Sequence, residues 1–144
     1  MFSKIRNLLR PAAPPEPIQD EDLGLIQFNS EERIWDVQIP GSGSSWRLRI
    51  AGAAVPDPAL LAHAREIAAK SEHFRELVAS FLRREASTFP GAEDEVLSLQ
   101  LESLNLFWPA RPNDGMLFFE GGQEGRVWRC DYINRKPDGL SFDS

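Results

Sequence analysis

Residues 23–50 read LGLIQFNSEERIWDVQIPGSGSSWRLRI, and the rhythm of their side chains decides the fold. Trp35, Val37 and Ile39 alternate with Asp36 and Gln38, and Trp46, Leu48 and Ile50 alternate with Arg47 and Arg49. That two-residue period belongs to half-buried strands. Residues 29–32 supply a polar turn, and the glycine-bearing run 40–44 supplies the backbone freedom a hairpin needs. Three strands at 23–28, 33–39 and 45–50 therefore make an antiparallel meander with one wet face.

The pattern then changes period. Asp57 and Pro58 form a helix start, and apolar residues from Leu60 to Leu82 recur at steps of three and four. Arg83 and Arg84 suit the last turn, and Pro90-Gly91 stops the chain. One helix over 58–86, about 43 Å long, is expected. Beyond it, VLSLQLESLNLFW (96–108) carries leucines first in odd and then in even phase. A strand cannot change face without an irregularity, which puts a bulge or break near Glu102-Ser103. The start of that stretch also fits a short helix. Strands follow at 115–120, 126–133 and 140–142. The expected class is α+β: a mostly antiparallel sheet of six to seven strands, with one long helix packed on one face.

The N-terminus is organised differently. Residues 1–10 carry Lys4, Arg6 and Arg10 and no acid, while PAAPPEPIQDED (11–22) is rich in proline and ends in three acids. The expected organisation is a short basic head (1–10), a stiff linker (11–22) and a single domain (23–144). On a helical wheel Phe2, Ile5, Leu8 and Leu9 share one side, with Lys4, Arg6 and Arg10 around it. That suits weak contact with an anionic membrane surface or a partner's groove. Burial of four apolar chains, ~4 kcal/mol, is offset by ordering ten residues at ~1 kcal/mol each. The expected location is the cytoplasm, or peripherally at the inner membrane face.

The body resembles a bacterial family of small uncharacterised α+β domains, a domain-of-unknown-function grouping. LGLIQFNSEERIWDVQI, ESLNLFW, VWRCDY and DGLSFD carry the likeness. The resemblance implies the architecture above and an association with immunity-type proteins, and it supplies no catalytic residues.

The chemistry implied by the residues is sparse. The net charge of −6 argues against a nucleic-acid partner. Cys130, the one cysteine, rules out an internal disulfide and reads as a packed thiol facing inward with Trp128 and Tyr132. His63 and His73 fall about 80° and ~15 Å apart on one continuous helix, too far to share a ligand, and read as surface residues. The Gly41–Ser45 run leads into a strand and lacks a following Lys, so it reads as a hairpin rather than a phosphate loop. Trp35, Trp46, Trp108 and Trp128 are expected in the core.

No catalytic residue, metal ligand or cofactor is assigned. The candidate partner-binding residues are Arg47, Arg49 and Arg129, whose guanidinium groups fit carboxylates of a protein partner. Cross-strand pairing with Asp36, Asp131 or Glu120 is the plainer reading of the same row. The expected function is non-enzymatic protein binding, immunity-like in type. The alternatives are a membrane adaptor tethered by residues 1–10, and a small-molecule binder or enzyme marked by a deep polar pocket with displaced pKa values.

Overall fold

The structure, a computed structural model, describes residues 13–41 and 43–144. Eight strands form one sheet whose spatial order follows the chain. They are β1 (Ile18–Asp20), β2 (Gly24–Asn29), β3 (Ile34–Ile39), β4 (Trp46–Ile50), β5 (Gln100–Leu106), β6 (Gly115–Glu120), β7 (Val127–Ile133) and β8 (Lys136–Asp143). Neighbours are antiparallel except β4 and β5, which run parallel. Antiparallel neighbours need only hairpins, whereas a parallel pair needs a crossover. The crossover holds α1 (Pro58–Ala69), α2 (Ser71–Glu85), a 3₁₀ turn (Ala86–Thr88) and α3 (Glu93–Ser98). Two four-stranded meanders thus meet side by side at β4–β5.

The α+β, mostly antiparallel expectation holds, with corrections of detail. The strand count is eight. β1 lies inside the stretch read as linker: the prolines end at Pro17, which leaves Ile18–Asp20 free to pair with β2. Asp20 closes the following turn by accepting from the backbone N–H groups of Asp22 and Leu23, both at 3.0 Å. Arg65 of α1 holds the same carboxylate at 2.6 Å. β8 is also longer than expected, because a register shift at Cys130/Asp131 and a positive φ of 81° at Gly139 hide its two-residue period.

The long helix is in fact two. Lys70 leaves helical geometry (φ −131°, ψ 46°) with no glycine or proline beside it. Its cause is tertiary. Leu60, Ala64 and Ile67 of α1 and Phe74, Val78, Phe81 and Leu82 of α2 are all buried in one core. A straight rod diverges from a twisted sheet, and the break keeps both apolar stripes on it.

Residues 96–108 combine the two readings left open for them. α3 occupies the start, and β5 then shifts register between Leu101 and Ser103. Leu101 opposes Phe119 and Ser103 opposes Phe118, so Glu102 is the extra residue of a bulge. Deleting Glu102 is expected to leave the fold intact, because 101↔119 and 103↔118 become consecutive pairs. A variant that loses its cooperative unfolding transition contradicts that register. Trp108 is corrected from core to surface: β5 ends at Leu106, and the ring is 38% exposed beneath Arg111.

Trp35, Trp46, Trp128 and Tyr132 fill the space between helices and sheet. Phe74 stacks on Trp46 at 5.1 Å, and Phe89 meets Trp128 edge-on at 5.1 Å. All these strand residues point to one face. The helices cover that face, and among the described residues no helix lies on the other, open face.

Candidate functional site

The open face is set by alternation. Cross-strand register places Gln27, Asp36, Arg49, Asn105, Met116 and Asp131 in one row, and Gln38, Arg47, Ser103, Phe118, Arg129 and Ser141 in the next. At its centre Ser103 and Asn105 are only 2% exposed although no helix of the described residues covers them. Asn105 Nδ2 donates to Ser103 Oγ at 2.9 Å. Met116 and Phe118 beside them are half-buried, and Ile133 on β7 is 42% exposed.

The three candidate arginines lie on this face as the strand pattern requires. Each meets a carboxylate. Arg49 Nε donates to Asp36 Oδ1 at 2.8 Å, and its Nη2 contacts Glu32. Burial opposes the charge of Arg49, but those hydrogen bonds win and hold its pKa above the usual arginine value. Arg47 contacts Glu102 at 3.3 Å and Asp36 at 4.0 Å. Arg129 contacts Asp143 at 3.3 Å. Asp36 is the partner named from the sequence. Glu32, Glu102 and Asp143 come from a turn, a bulge and a strand end that spacing does not reveal.

A groove of about 910 Å³ lies at the β2–β4 end of the open face. Pro14, Pro15 and Pro17 line it together with Leu25, Gln38 and Arg47. The proline stretch therefore flanks the face. The head residues Phe2, Lys4, Ile5, Arg6, Leu8, Leu9 and Arg10 lie outside the described residues.

His63 corrects the reading of both histidines as surface groups. It is 4% exposed, and its Nε2 lies 2.9 Å from the Tyr132 hydroxyl. The signal was present in the sequence: position 63 stands three after Leu60 and four before Ile67, on the buried stripe. The break at Lys70 also brings His63 and His73 to the lining of one cavity of about 540 Å³, with Glu66 and Arg135 at its edge. Among the described residues no group of three or more His, Cys, Asp or Glu side chains is placed to hold a metal ion. No helix of the described residues is long and apolar enough to cross a membrane.

Burial pushes the His63 pKa below its ordinary 6.5, aided by nearby Arg135. Burial likewise pushes the Cys130 thiol up to about 12 and the Tyr132 hydroxyl well above its usual range. These shifts have a signed consequence. Below pH 6.5 the unfolded chain takes a proton that buried His63 refuses, so stability falls with acid. Above pH 9.0 the unfolded thiol ionises while the folded one resists, so stability falls with base. Thermal unfolding is expected to give a Tm plateau between those values. His63→Gln should flatten the limb just below 6.5, and a Tm that rises on acidification there contradicts the assignment.

Comparison with protein-family models, with curated proteins and with solved structures finds no match to this chain.

Proposed function

We propose that this chain is a non-enzymatic protein-binding module that docks its partner on the open sheet face. One observation carries the reading: the described helices cover one side of an eight-stranded sheet, and the other side presents Met116 and Phe118 of β6 between Arg47 and Arg49 of β4 and Arg129 of β7, with Ile133 further along β7. Methionine, aromatics and arginine are the residues enriched at interfaces. Because its arginines are already paired to Asp36, Glu102, Glu32 and Asp143, the face suits a partner with apolar anchors and mixed charge better than a purely acidic one. The groove beside Pro14 and Pro15 extends the same surface.

Affinity purification of the full chain, compared with the doubly substituted Met116→Lys/Ile133→Asp chain, tests the proposal. Both positions are partly exposed, so the variant is expected to keep its circular dichroism and most of its Tm. A stoichiometric protein retained by the parent and lost by the folded variant supports the reading. Equal retention by both contradicts it.

The second reading, a small-molecule binder, is favoured by buried polar groups beside cavities on the helix side, His63 among them. The membrane-adaptor reading rests on residues 1–10 alone. Liposome co-sedimentation of the full chain against a chain lacking residues 1–10, which keeps β1, tests it, and equal binding removes it.

A further inference from the structure

Three tryptophans of this protein are buried, and two of them have a partner for the indole N–H. Trp35 Nε1 donates to the Gly52 carbonyl at 3.2 Å, and Trp128 Nε1 donates to Glu95 Oε2 at 2.6 Å. Trp46 is 2% exposed, and its Nε1 meets no acceptor among the described residues. Buried donors in folded proteins nearly always have a partner, and an orphan calls for an explanation.

A second orphan lies in the same place. Arg75 Nη1 is buried without a hydrogen bond, with only the exposed Glu72 carboxylate near it at 3.9 Å. Both residues line one cavity of about 340 Å³ between β4, α2 and the start of β5. Its other walls include Val78, Ala79, Leu82 and Leu99, and no carboxylate lines it. The seat of the guanidinium is specific. Gly41 lies directly against Arg75, and a Cβ there would overlap Nη1 and meet the Ser44 carbonyl oxygen at 2.8 Å.

Two unpartnered donors, one of them cationic, with no carboxylate beside them make a poor site for a metal or an amine. They suit two oxygens of one negatively charged group. Val78, Leu82 and Leu99 give part of the cavity an apolar wall for a short hydrocarbon body, Ser44 and Gln100 give it a polar one, and the volume is at the small end of ligand sites. We propose that this cavity binds a small organic acid. Its carboxylate takes the N–H groups of Trp46 and Arg75, and its apolar body rests on Val78, Leu82 and Leu99. The site is separate from the open sheet face and stands whether or not that face binds a protein.

The indole N–H signals of the full ¹⁵N-labelled chain provide the test, because each buried tryptophan reports on its own partner. On titration with hexanoate, the Trp46 signal is expected to move and saturate. The Trp35 and Trp128 signals should stay in place. Hexanol, hexylamine and inorganic phosphate are expected to bind at least roughly tenfold more weakly, and Arg75→Gln to cost hexanoate a similar factor. The proposal is overturned if the Trp46 signal does not respond to hexanoate. It is equally overturned if hexanol or hexylamine moves the signal as strongly, if phosphate alone moves it, or if Arg75→Gln leaves the affinity unchanged.

Discussion

Leu104→Ala is expected to lower the unfolding free energy by about 2–5 kcal/mol, the cost of a cavity in a core that cannot collapse around it. Leu104 is fully buried and stands between Leu48 of β4 and Leu117 of β6, both also at 0% exposure. Its place is the parallel seam where the two meanders join, so the loss strikes the one contact that makes a single sheet of them. In thermal unfolding each kcal/mol corresponds to roughly 2–4 °C for a chain of this size. Leu25→Ala, on the open face and 48% exposed, should stay within about 0.5 kcal/mol. Similar Tm values for the two variants would remove Leu104 from the core and the seam from its central place.

Gly52→Ala is expected to be nearly as damaging, for a different reason. Gly52 follows β4 at the entry to the crossover, where Ala51 donates to the Leu106 carbonyl at 3.0 Å and Asp57 donates back to the Ala51 carbonyl at 2.9 Å. That closed turn presses the backbone of residues 55–57 against position 52. A Cβ there would overlap the Val55 carbonyl oxygen and lie 2.7 Å from the Asp57 nitrogen. The φ of 156° is one that side chains rarely adopt, and the Gly52 carbonyl also anchors Trp35 Nε1. Backbone atoms cannot step aside as a side-chain tip can, so the cost should reach about 2–4 kcal/mol. Gly24→Ala separates collision from conformation. Its φ is +72° and nothing lies within 4 Å of the added carbon, so about 1 kcal/mol is expected. Chemical denaturation of both variants reads the difference, and an equal loss at the two sites would show that the collision is relieved at no cost.

How much of this was legible in the sequence depended on whether neighbours in the chain were also neighbours in space. The meander of β2, β3 and β4 is written in the alternation of residues 33–50, and the Asp36–Arg49 pair follows from its register. The bulge at Glu102 was visible because leucines changed phase across it. The break at Lys70 was not, because no local residue forces it and the helix bends to follow the sheet. β1 was hidden by its length of three residues and by the prolines before it. The His63–Tyr132 contact spans 69 positions. The stripe position of His63 announced its burial, but nothing local named its partner. The empty hydrogen-bonding capacity of Trp46 and Arg75 belongs to the same class, since an absent acceptor leaves no mark in the sequence.

Met116 offers the most direct test of the central claim, that the uncovered side of the sheet is the working surface. It is half-buried in the middle row of that side, and its thioether oxidises at a rate set by access. Oxidation of Met116 should be measured by mass spectrometry in the free chain and in its complex with the captured protein. The account predicts that Met116 is oxidised in the free chain and protected in the complex. Equal oxidation in both, with protection confined to the outer surfaces of α1 and α2, would contradict it.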